Sequence, residues 1–139
     1  MSDDFSYTLD VTSNDRVLSI QLHGGCHLDA SIVSLKALAQ TLVNNPLKGV
    51  LIDYSAYDLT FEMEEFAQIA DVYCTEFPAG FPVAFVYNQA QVARAIYMTR
   101  RLEETGRPSR AFDAAPAAME WLETQMPGAE TSSAADTGS

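Results

Sequence analysis

Gly49-Val50-Leu51-Ile52-Asp53-Tyr54 is an apolar run, too short for a typical helix and without the polar–apolar alternation of a strand wetted on one side. Runs of this kind are strands of parallel sheets, covered on both faces by the helices that connect them. Val83-Ala84-Phe85-Val86-Tyr87 repeats the pattern after Pro78, Gly80 and Pro82 have broken the chain. Between the two runs, Phe66, Ile69, Ala70, Tyr73 and Phe77 recur at helical spacing. Glu62, Glu64 and Glu65 fall in the first turn of that helix, where its dipole favours negative charge, and Asp58 or Thr60 supplies the cap. A strand, a helix and a second doubly buried strand make a parallel crossover unit.

The same grammar extends in both directions. Upstream, Asp29 reads as an N-cap, with Leu28 stapled onto Val33. Ile32, Leu35, Ala39 and Leu42 form the helix stripe, Leu38 and Val43 widen it, and Asn44, Asn45 and Pro46 stop it. Before that helix, Phe5 to Val11 and Arg16 to His23 alternate around a turn at Thr12–Asp15, a β-hairpin that Gly24 and Gly25 close. Downstream, Asn88 with Gln91 three residues on opens a helix that Gly106 and Pro108 end. Arg110 to Phe112 is a short strand. Asp113 then caps a last helix, which tolerates Pro116 in its first turn and anchors on Trp121 and Leu122.

The order β-β-α-β-α-β-α-β-α predicts a single α/β domain: a mixed, mostly parallel five-stranded sheet with four helices, occupying residues 1–126. Residues 127–139 hold no large apolar side chain and are expected to form a disordered tail. A chain of 139 residues suits one domain. With 8 basic against 19 acidic side chains, its surface repels polyanions, which excludes nucleic acid as a partner. No run approaches the ~20 apolar residues of a membrane span. Ser2, Asp3 and Asp4 do not open a secretory signal, and Cys26 and Cys74 form no C-x-x-C pair, so a reduced, cytoplasmic protein is expected.

The strand ending in Val50-Leu51-Ile52-Asp53, the helix Ala93-Arg94-Ala95-Ile96-Tyr97, the hairpin opening and the closing Arg110-Ala111-Phe112-Asp113 with Ala118-Met119-Glu120-Trp121-Leu122 resemble the SpoIIAA-like, or STAS, fold family. Within it the chain is most similar to small bacterial STAS/SEC14-type proteins, over residues 5 to 123. The resemblance implies a regulatory or protein-interaction module. In the family's anti-sigma factor antagonists, a serine in an Asp-Ser-x-Gly turn is phosphorylated. Carried over without gaps from Asp53, that turn falls on Phe61, Glu62, Met63 and Glu64, so Glu62 stands in the serine's place. Glu62 is then either a fixed negative charge or simply a complement to the helix dipole.

Three groups of residues could carry chemistry. His23, Cys26 and His27 are metal-ligand types gathered around two glycines, with Asp29 as a fourth donor, and Cys26 beside His27 is also a remote candidate for thiol chemistry, but their spacing matches no zinc signature and better suits a strand-to-helix turn. Arg94, Tyr97, Met98 and Arg101 share one face of the third helix, and Val92, Ala95, Ile96, Thr99 and Leu102 share another. With the second face inward, the first would point outward, as an anion-binding or partner-docking surface or as a solvated face. Asp53 and Asp58 flank the loop after the central strand, at the edge where open α/β sheets bind ligands, with Tyr54 and Tyr57 as a polar-aromatic rim. Turn formation and capping are the plainer use of both carboxylates.

No phosphate loop, Ser-His-Asp order or H-E-x-x-H motif is present, so neither an enzyme nor a cofactor is expected. The expectation is a non-catalytic binding module for a protein partner. The alternative is a carrier or sensor of a small amphipathic or anionic ligand, using Phe61, Phe81 and Phe85 near the sheet edge. A homodimer is expected if the helices leave one face of the apolar strands bare.

Overall fold

A computed structural model describes residues 6–12, 16–24, 28–45, 47–57 and 62–125. The elements are β1 (Ser6–Thr12), β2 (Val17–His23), α1 (Leu28–Asn44), β3 (Gly49–Asp53), α2 (Met63–Glu76), β4 (Val83–Val86), α3 (Val92–Glu104), β5 (Ser109–Phe112) and α4 (Ala115–Gln125), with a 3-10 turn at Gln89–Gln91. The expected order is the observed one.

The five strands lie in the order β1-β2-β3-β4-β5. β1 runs antiparallel to β2, and every later neighbour is parallel. A right-handed crossover that always steps to the next strand puts its helix on the same face each time. Accordingly α1, α2 and α3 share one core with Leu18, Ile20, Leu22, Val50, Ile52, Val83 and Phe85. The alternate residues Val17, Leu51, Ala84 and Val86 face the other way and are sealed by Ala118 and Leu122 of α4, with Phe112 and Trp121 at the margin. The double cover that β3 and β4 require is thus met within one chain. The dimer expected from a bare face loses that reason.

α1 departs from expectation in detail. Its helical hydrogen bonding begins at Leu28, so Asp29 sits inside the first turn and is not the N-cap. Val33 is 68% exposed and staples nothing, and Val43 is exposed too, while Ser31 and Ser34 take places in the buried stripe. α2 is preceded by Glu62 in extended conformation, which makes Glu62 its N-cap. Asp58 and Thr60, the expected caps, lie outside the described residues. Asn88 does cap, through Oδ1 accepting from Ala90 N–H at 2.9 Å, but it opens the 3-10 turn that feeds α3. Gly106, at φ +85°, ends α3 in a conformation that suits glycine.

Tyr54 and Tyr57 are not a rim: both are buried. Their hydroxyls reach partners distant in sequence. Tyr54 and Tyr73 share a hydrogen bond at 2.7 Å, as do Tyr57 and Ser31. Phe85 packs between them, stacked on Tyr54 and edge-on to Tyr73. Burial pushes both the Tyr54 and Tyr73 phenols above their usual range. The fold therefore holds them protonated where the unfolded chain would ionise. Above about pH 10 the unfolded state binds fewer protons, so stability falls as pH rises further. An ultraviolet titration should show these two phenols ionising only as the protein unfolds. Tyr73→Phe strands the Tyr54 hydroxyl and is expected to cost about 1–2 kcal/mol in a denaturant titration. Combining it with Tyr54→Phe should cost less than the two single changes added together.

Candidate functional site

The C-terminal ends of β3 and β4 converge on a hydrogen-bonded turn. Asp53 Oδ1 accepts from the Ser55 backbone N–H at 2.8 Å and from Ser55 Oγ at 2.6 Å, the geometry of an Asx turn. Asn88 Nδ2 donates to the Ser55 carbonyl at 3.0 Å. Beneath it, buried Gln91 donates from Nε2 to the carbonyls of Tyr54 (2.9 Å) and Tyr57 (2.7 Å), while its Oε1 accepts from Asn88 N–H at 3.0 Å. One amide side chain thus ties the β3 loop to the entrance of α3. Asp53 is engaged in turn chemistry, and Asp58 lies outside the described residues. The Asn88–Gln91 spacing was legible as a cap, but the reach of Gln91 back to the preceding loop was not.

Glu62 is exposed at the start of α2. Its backbone N–H donates to Glu65 Oε1 at 3.4 Å, half of a capping box. Met63, one residue on, is exposed. On α2, Met63, Ala67, Asp71 and Cys74 share the flank that meets α3. Asp71 and Cys74 make the contacts, the Asp71 carboxylate pairing with the Arg101 guanidinium and Cys74 Sγ donating to the Arg101 carbonyl at 3.5 Å.

α3 is turned about its axis relative to the expected orientation. Ala95, Met98 and Leu102 are its buried residues, so Met98 belongs to the core and not to a surface. Val92 and Ile96, expected inside, are exposed, Ile96 by 48%. The reason lies in the neighbouring helix. Arg94 sits over the Phe66 ring at 5.8 Å, and Tyr97 packs on the same ring at 5.8 Å. Arg101 lies over the Tyr97 ring at 5.6 Å and donates from Nη1 to its hydroxyl at 2.7 Å. Its hydrogen bond to Asp71 raises the Arg101 pKa further above an already high value. These half-buried residues cover aromatic surface with their apolar stems and rings, and rotating them outward would forfeit those contacts. The structure therefore brings Arg94, Tyr97 and Arg101 together along the α2–α3 seam, with exposed Arg100 next to Tyr97 on the outer surface of α3 and Ile96 on the flank away from α2.

Among the described residues, the remaining candidates do not assemble into a reaction centre. His23 ends β2, paired in register with Ser6. Cys26 and His27 lie outside the described residues. Among the described residues no three His, Cys, Asp or Glu side chains are gathered to hold a metal, and no helix is long and apolar enough to cross a membrane. Of the aromatic residues assigned to a ligand site, Phe61 lies outside the described residues and Phe85 is core. Phe81 lines a cleft of about 340 Å³ with Leu47, Lys48, Gly80, Pro82 and Gln125. That cleft is at the N-terminal end of the strands, opposite the edge where such sheets bind ligands.

No protein-family model and no curated protein matches the chain by sequence. Solved structures do match by shape. An anti-sigma factor antagonist from Mycobacterium paratuberculosis superposes with a TM-score of 0.61 at 14% identity, over 88% of this chain and 97% of its own. A DUF3478-family protein with a SpoIIAA-like fold from Shewanella loihica gives 0.54 at 16% identity, over 85% of this chain and 93% of its own. The chain has a SpoIIAA-like, STAS-type fold.

Proposed function

We propose that this chain is a cytoplasmic STAS-like regulatory module that acts by binding a protein partner and not by catalysis. The observation that carries the reading is the α2–α3 face, where exposed Met63 continues the α2 flank that meets the half-buried Arg94, Tyr97 and Arg101. Apolar side chains beside arginine and tyrosine are the composition of interface centres, not of ordinary surface. Arg94, Arg100 and Arg101 bring positive charge to this side of an otherwise acidic chain, so the partner is one that presents acidic groups around an apolar contact. The shared fold with an anti-sigma factor antagonist supports the class. At the place where such antagonists carry a phosphorylated serine this chain has Glu62, so its binding is read as independent of phosphorylation there.

Arg101 is already paired with Asp71, and reversing its charge would damage the seam as well as any interface. Met63 is the cleaner probe, exposed at the first turn of α2. Met63→Asp should leave the melting temperature nearly unchanged, since a carboxylate suits the first helical turn, and reduce the protein partner retained from a lysate of the source organism by about tenfold or more. Equal retention of the same partner by wild type and variant would remove this face from the reading.

A further inference from the structure

The edge strand β1 presents Tyr7, Leu9 and Val11 on the face shared with α1, at 41%, 50% and 45% exposure. In register they stand beside Leu22, Ile20 and Leu18, which α1 covers, but β1 is one strand too far out for that cover. Across a depression of about 410 Å³, lined also by Asp29 and Ser34, Tyr7 faces Ala30, Val33 and Ala37 of α1. Three large apolar side chains on an edge strand, next to a valine exposed by 68%, form a contiguous apolar patch.

The strand also lacks the devices that keep edges apart. It runs seven residues, contains neither proline nor lysine, and carries one charge, Asp10. On a chain with 19 acidic side chains, this near-neutral segment gives an oppositely charged partner nothing to recognise. Its pattern is instead complementary to itself. Placed antiparallel to a second β1 about a two-fold axis at Leu9, Tyr7 falls opposite the second copy's Val11, Leu9 opposite Leu9, and Asp10 opposite the uncharged Thr8. Shifting the axis to Asp10 would set like charges face to face, which strand pairing disfavours.

We propose that β1 pairs with β1 of a second copy, joining two five-stranded sheets into one continuous ten-stranded sheet with Leu9 on the two-fold axis. The apolar side chains of both copies then fill the trough between the two α1 helices, and Val33 of each helix closes it. This surface lies at the opposite edge of the sheet from the α3–β5 side, so the two interactions are separable.

Sedimentation of the full chain tests the proposal. The wild type is expected to sediment as a dimer, and Leu9→Lys, which sets two cations together at the axis, as a monomer with an unchanged circular dichroism spectrum. Val33→Arg, on an exposed helix position that folding does not use, should weaken the dimer in the same way and serves if Leu9→Lys fails to fold. A wild type that stays monomeric at the highest attainable concentration overturns the proposal. A dimer that survives Val33→Arg undiminished, or Leu9→Lys in a folded state, overturns it as well. Met63→Asp should leave the dimer intact, so loss of partner capture and loss of dimerisation report separately.

Discussion

Replacing Gln91 by leucine is expected to destabilise the protein by about 3 kcal/mol, although the side chain keeps nearly the same volume. The change removes two donated hydrogen bonds and one accepted bond, leaving the Tyr54 and Tyr57 carbonyls and the Asn88 N–H without that partner. Gln91 is only 5% exposed, so water does not readily replace it. For a domain of this size the loss corresponds to a melting temperature lower by about 10 °C. Gln91→Glu separates the donors from the acceptor. It keeps an oxygen for Asn88 but points carboxylate oxygens at two carbonyls, which favours the protonated carboxyl in the folded state. Its stability should therefore improve as pH falls toward the ordinary glutamate range, a trend that Gln91→Leu cannot show. A loss below about 1 kcal/mol for Gln91→Leu would mean that the β3 loop holds itself without this tie.

The second large effect is expected at Arg107. Its Nε and Nη2 donate to the Phe77 carbonyl at 3.0 and 2.8 Å, and its Nη1 to the Thr105 carbonyl at 2.8 Å. One guanidinium thus fastens the end of α2 to the turn that follows α3. Arg107→Met preserves the apolar stem and removes all three bonds, at an expected cost of about 2–3 kcal/mol in denaturant titration. Arg107→Lys should recover less than half of that, because an ammonium cannot match the fixed fork of a guanidinium. The nearby Gly80 N–H, which donates to the Gly106 carbonyl at 3.0 Å, should exchange faster in the methionine variant. Full recovery by lysine would show that a positive charge suffices and the fork does not matter.

Both residues show where sequence reading stops. The strands, helices and their order were legible because each carries a local periodicity or a local punctuation mark, as at Asn88, Gly106 and Pro108. The role of Arg107 was not, since its position among five cations suggests a surface charge cluster, whereas its partners are carbonyls 30 and 2 residues away. Tyr54 and Tyr57 looked polar enough for a rim because their partners, Tyr73 and Ser31, stand 19 and 26 residues distant. On α3 two stripes overlap, and apolar character alone favours Val92 and Ile96 over Met98. The choice was made by Phe66 and Asp71 of another helix, which hold Arg94, Tyr97 and Arg101 in the seam. On β1 the alternation was read correctly, but period two says which side chains share a face and not whether anything covers that face.

The division of labour between the two faces of the sheet has a consequence for the order of events on the ribosome. Translation delivers α1, α2 and α3 in step with the strands they cover, so one side of the sheet can close as it grows. The other side, with Val17, Leu51, Ala84 and Val86, has its lid in α4, which is translated after every strand is complete. Until residues 115–125 have emerged, the nascent sheet is an apolar wall wetted by solvent, and a chain interrupted there is a client for chaperones and a seed for aggregation.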